Sequence, residues 1–152
     1  MTFRSREAGE GEVATLREEV EHLSSQNPGS GSVYWAQLRL KRAEAMLDSL
    51  LTGTPLPPVE AEVSALRFGD VALVTAPGEI FTETGMAVKR RSPLPRTCYV
   101  GYTNGSIGYV PVPAAYDEGG YEVTHACRVG PAAAGLIEEA SLALLHELAP
   151  AS

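Results

Sequence analysis

The chain has 152 residues, of which 44% are hydrophobic, 20% charged and 7% aromatic. That is enough apolar material for one ordinary core and too much for a disordered tail. A net charge of -7 at pH 7 and a pI near 4.9 exclude a nucleic-acid binder, which needs a Lys/Arg surface to neutralise phosphates. No apolar run approaches the ~18 residues of a membrane span, and the polar start lacks the apolar run of a secretory signal. Cys98 and Cys127 are too few for a disulfide framework. They are expected as buried, inert thiols in a cytoplasmic protein.

Residues 1–10 read as a frayed terminus. From Glu12 to Gln26, Val13, Leu16, Val20 and Leu23 fall three and four apart, which predicts a helix with one narrow apolar stripe. Asn27-Pro28-Gly29 ends it. A second helix is expected from an N-cap at Ser32 to Leu51, before Gly53, with Ala36, Leu40, Ala43, Leu47 and Leu50 on one face. The short Gly/Pro joint makes residues 1–53 an antiparallel helical hairpin, whose stripes can pair with each other or with surface elsewhere. Residues 54–152 form a second region, opened by the stiff linker Thr54–Pro58. Alternation of Val59, Ala61, Val63 and Ala65 with polar residues predicts a half-buried strand, and Arg67–Asp70 a turn.

Val71–Thr75 is apolar on both faces and reads as an interior strand. Pro77-Gly78 breaks it, and a helix is expected over 79–90, where Lys89, Arg90 and Arg91 suit a helix C-terminus. A strand over 97–102 follows, then a long loop over 103–130, then a helix from Pro131 to about Leu148. The fold class is α/β: an N-terminal helical hairpin, then a small β-sheet with packed helices.

Two places carry chemistry. Glu79 follows a buried strand and a glycine, at the carboxyl edge where α/β sheets place their sites. The bland alternative is a first-turn carboxylate offsetting a helix dipole. The loop from Gly101 to Glu122 holds Tyr102, Tyr109, Tyr116 and Tyr121 among glycines. Phenols give a binding wall an apolar body and a polar tip, and a cation can convert one to a metal-binding phenolate. Packing over the sheet is the alternative, with Asn104-Gly105 as an ordinary turn.

Leu66-Arg-Phe-Gly-Asp70, Ala76-Pro-Gly-Glu79, Gly101-Tyr-Thr-Asn104, Gly108-Tyr109, Tyr116 and Gly120-Tyr-Glu122, in that order and spacing, resemble the neutral/alkaline non-lysosomal ceramidase family. The resemblance covers about residues 60–125, the C-terminal part of that family's catalytic domain. It implies a zinc-dependent amide (C–N) hydrolase with Glu79 and Tyr109 as metal ligands. It further implies that Tyr121 acts as a catalytic residue contacting substrate near the scissile amide, and that Asn104 belongs to the substrate-binding set. The family's zinc is also held by two upstream histidines, and His22, His125 and His146 match neither motif. Two protein ligands fall short of the usual three of a catalytic zinc, so low zinc occupancy is expected in the isolated chain.

Three expectations follow. The chain is one part of a ceramidase-like amidase, completed by a second polypeptide that carries the histidines and docks on the helix stripes of residues 13–50. Its substrate would be an amide-containing small molecule or lipid. Alternatively it is a non-catalytic binding or assembly module forming a homo-oligomer through its helices. As an inert fragment, it would expose apolar surface and aggregate.

Overall fold

The computed structural model describes residues 5–150, as mixed α/β with two compact units that divide near Pro58. The first unit is a pair of helices, α1 (Arg6–Gln26) and α2 (Gly31–Thr52). The α1 helix starts earlier than its apolar stripe. Ser5 caps it by accepting from Ala8 N–H at 3.2 Å, and Arg6 pairs with Glu10 one turn on. The cap of α2 is Ser30 rather than Ser32: the Ser30 hydroxyl accepts from Val33 N–H at 3.3 Å. Gly53 closes α2 in the left-handed conformation at φ 69°. Val13 and Leu16 pack with Ala43, Leu40 and Leu47, so the two stripes cover each other. Arg17–Glu44 and Arg39–Glu19 ion pairs flank the seam.

The second unit holds a three-stranded sheet in the order β1 (Ser64–Phe68), β2 (Val71–Thr75), β4 (Arg96–Val100). The β1 strand pairs antiparallel with β2, and β2 pairs parallel with β4. The expected strand over 59–65 is shifted. Residues 59–63 take no strand conformation, and Arg67 and Phe68 belong to β1 rather than to a turn. The register Phe68↔Val71 leaves Gly69 and Asp70 as a two-residue hairpin loop, with Gly69 at φ 60° where such a turn takes glycine.

Between β2 and β4 lie a two-residue strand β3 (Glu79–Ile80) and helix α3 (Thr82–Arg91). The long loop carries β5 (Tyr109–Val110) and two single-turn helices, α4 (Ala115–Glu118) and α5 (Tyr121–Thr124). It ends at α6 (Ala133–Leu148). A second sheet consists of β3 and β5 in parallel.

The core lies on one face of the larger sheet. Ala72 and Val74 from β2 meet Val88 of α3 and Leu142 and Leu145 of α6, with Ala65 and Tyr99 packed against them. A second cluster of Ala76, Ile107, Val110, Ala134 and Ile137 fixes the 103–110 segment onto α6. Cys98 is exposed and Cys127 half-buried, which corrects the expectation of two buried thiols. On the strand, Cys98 alternates with the inward-facing Tyr99 and so falls on the other face. Among the described residues no helix is long and apolar enough to cross a membrane.

Leu145 has no exposed surface whereas Leu136 on the same helix is 64% exposed. Leu145→Ala is expected to destabilise by about 2–5 kcal/mol in urea unfolding, and Leu136→Ala by less than about 0.5 kcal/mol.

Candidate functional site

Three glycines set the geometry. Gly78 sits at φ 116°, and a Cβ there would lie 2.6 Å from the Gly108 carbonyl oxygen. Gly108 itself, at φ 80°, would place a Cβ 2.5 Å from the Ala126 carbonyl, and Gly101 one 2.9 Å from the Gly78 carbonyl. Such contacts admit only hydrogen at these positions. Through this close approach Glu79 N–H donates to Gly108 O at 2.9 Å, Tyr102 N–H to Gly78 O at 2.9 Å and Tyr109 N–H to Ala126 O at 3.3 Å.

The β3–β5 register pairs Glu79 directly with Tyr109. Glu79 is therefore not the first-turn carboxylate of a helix. The helix starts at Thr82 and carries Glu83 in that role, because the Glu79 and Phe81 N–H groups are committed to β5 carbonyls. Partners in a parallel ladder point to the same side, so carboxylate and phenol face one cleft. The hydrogen bond to Glu79, with smaller contributions from desolvation and from the charge of Glu79, lifts the Tyr109 phenol to about 12. Tyr102 reaches the same carboxylate, and its phenol is also raised, first by that hydrogen bond. Tyr102 sits at φ 57°, a costly conformation for a bulky residue.

The cleft has a volume of about 610 Å³. Glu79, Glu83, Glu118 and Glu122 line it together with Tyr102 and Tyr109, and no Lys, Arg or His does. Glu83, Glu118 and Glu122 are site residues that sequence reasoning did not single out. Only Glu122 left a signal, as the last residue of Gly-Gly-Tyr-Glu. The surplus of negative charge makes this a place for cations or cationic groups.

The remaining expected residues divide. Tyr121 is 57% exposed and outside the cleft wall, but packs edge-on against Tyr109 with ring centroids 6.3 Å apart. His125 stacks on Tyr121 at 5.7 Å and its Nδ1 lies 2.6 Å from the Thr124 hydroxyl. Asn104 is exposed at φ 57° on its turn and is not brought to the cleft. Tyr116 turns away from it. Its hydroxyl donates to Val129 O at 3.0 Å beside the Cys127 Sγ, and burial raises its phenol first. For Tyr116 the packing role holds.

Zinc takes N, S and O ligands, usually three from the protein in a catalytic site. Among the described residues no three His, Cys, Asp or Glu side chains converge as a metal group. Glu79 and Tyr109 fit part of a zinc site, and the chain's own donors do not complete one. No family model matches the chain, nor does any curated protein or solved structure.

Because Tyr109 holds its proton more tightly when folded, its contribution to stability is fully present below pH ~10 and is lost as pH rises through about 12. In Glu79→Gln the loss of the full charge should return one phenol towards the ordinary value. Absorbance titration at alkaline pH should show this, with a shallower fall in stability over the same window. Gly108→Ala should cost more than about 2 kcal/mol, since strain at positive φ adds to the backbone overlap.

Proposed function

We propose that this chain is the C-terminal part of a zinc-dependent amide hydrolase of the neutral ceramidase-like kind, in a cytoplasmic setting, and is inactive by itself. One observation carries the reading: Glu79 and Tyr109 are ladder partners whose side chains interact across one acidic cleft. A carboxylate and a phenol side by side are the two oxygen donors that the resemblance requires. The missing donors, two histidines, come from another polypeptide. When bound, zinc supplies Lewis acidity and lowers the pKa of a bound water.

The chain's own residues have separable parts in this reading. Glu79 contributes a charged oxygen and Tyr109 a phenol that must release its proton to a metal. At rest that proton is held tightly by Glu79, so metal binding competes with it and strengthens as pH rises. Tyr121, packed edge-on to Tyr109 and still exposed, is placed to donate its O–H to the oxygen of an amide as charge develops there. The substrate class is an amide-containing small molecule or lipid. Asn104 enters only if its turn moves towards the cleft on binding.

A second reading has its own support. Tyr34 and Trp35 are 61% and 52% exposed on the helical hairpin and contact each other edge-on. A neighbouring pair of exposed aromatics suits a binding or assembly module forming homo-oligomers.

The purified chain should take up little zinc at equimolar metal. Mixing it with the separately expressed histidine-bearing upstream half of a ceramidase-type catalytic domain should yield one zinc per complex by elemental analysis. Glu79→Ala should abolish that zinc, and Tyr109→Phe should weaken it. A complex that takes up no zinc, or zinc uptake indifferent to Glu79, would defeat the hydrolase reading.

A further inference from the structure

The larger sheet has a covered face and an open one. Along the ladder, Leu66, Leu73 and Cys98 form one row, Phe68, Val71 and Arg96 a second, and Ser64, Thr75 and Val100 a third. These rows face away from the core formed by Ala65, Ala72, Val74 and Tyr99. On this outer face Phe68 is 69% exposed, Leu66 53% and Val100 37%, and Cys98 is exposed too. Strands paired in parallel are ordinarily buried on both sides, and a contiguous apolar patch on a sheet marks an interaction surface.

We propose that this open face is where the histidine-bearing polypeptide packs, so that one association covers the sheet and completes the cleft. The proposal rests on the reading given under Proposed function. Two observations select this occupant. The face is continuous with the cleft: the third row ends at Val100, and Gly101 and Tyr102, which line the cleft, follow it in the chain. At ~3.3 Å per residue a layer laid along the strands reaches the cleft within about 7 Å.

Charge supplies the other argument. The cleft carries four glutamates and no basic residue, so the occupant must bring imidazole or cationic groups to its end of the face. A second copy of this chain brings another net charge of -7 and the same acidic cleft, and none of the donors that are missing. The helix stripes of residues 13–50, the surface expected from sequence to dock a partner, already cover each other.

The test uses the full chain and the same upstream half-domain. Complex formation is followed by light scattering after gel filtration. Access to Cys98 is followed by thiol alkylation and peptide mass mapping, which reads the contact without any substitution. The expected result is a one-to-one complex in which Cys98 loses most of its reactivity, while Phe68→Lys and Leu66→Lys weaken association at least about tenfold. Both side chains are mostly solvent-exposed, so these variants should keep the unfolding midpoint of the parent.

A complex in which Cys98 stays reactive and Phe68→Lys is silent overturns the docking face and leaves the metal reading standing. Protection of Cys98 in a complex that takes up no zinc does the reverse. Absence of any complex, or a homodimer that hides Cys98, overturns the proposal outright.

Discussion

Gly78 and Gly108 let two backbone segments approach until nothing larger than hydrogen fits between them, and every feature of the cleft descends from that approach. With Gly78 at φ 116° and Gly108 at φ 80°, the Glu79 N–H can reach the Gly108 carbonyl and start a two-residue parallel ladder. A ladder this short has little stability of its own. It persists because Ala76, Ile107 and Val110 are buried with Ala134 and Ile137 of α6. The core clamps the segments, the glycines set their spacing, and the register then leaves Glu79 beside Tyr109. The same contact network draws Tyr102 into the left-handed region, since its N–H is tied to Gly78 O. Strain at a bulky residue survives where the surroundings over-determine it.

The chemistry of the cleft is a contest for one carboxylate. Two phenols approach Glu79, and their raised pKa values record how much the protonated forms gain from it. That arrangement satisfies Glu79 without any cation. Glu83, Glu118 and Glu122 remain around it with no basic residue on the cleft wall, so the local field still favours positive charge. A metal arriving with further donors would reverse the balance. It would stabilise the phenolate directly and turn the proton on Tyr109 into a leaving group.

Where the pattern was long, sequence was a sufficient guide. The stripes of α1, α2 and α6 repeat over several turns, and Val71–Thr75 is indeed the middle strand of its sheet. The errors fall where a segment is short or tertiary pairing overrides periodicity. Val59–Val63 alternates like a strand but follows directly on a proline-rich linker, and β1 begins only at Ser64. Glu79 looked like the start of a helix because Pro-Gly precedes it, yet its N–H bonds to a strand more than two dozen residues away in the chain. No local pattern reports such a bond. Strand β5 has two residues and therefore no period to detect. Tyr116 resembled its neighbouring tyrosines in sequence, and only its partners, Val129 O and Cys127, separate it from them. Glu83 and Glu118 read as solvated helix residues because that is how acidic residues in helices usually behave.

The apolarity of β2 on both faces is the link between fold and function. Ala72 and Val74 account for one side, which α3 and α6 cover. Val71 and Leu73 on the other side belong to the same rows as Phe68, Leu66 and Cys98, which are exposed. Solvation alone does not call for apolar side chains there, and an edge strand left in water is usually blunted with charge. On β1 only Arg67 is charged, and its guanidinium is directed to the Gly69 and Leu148 carbonyls. The outer face of the sheet thus carries the features of an interior surface, and it ends beside a cleft that holds two metal donors where a catalytic zinc needs three. A missing layer and a missing ligand set on adjoining surfaces are most simply explained by a single absent partner.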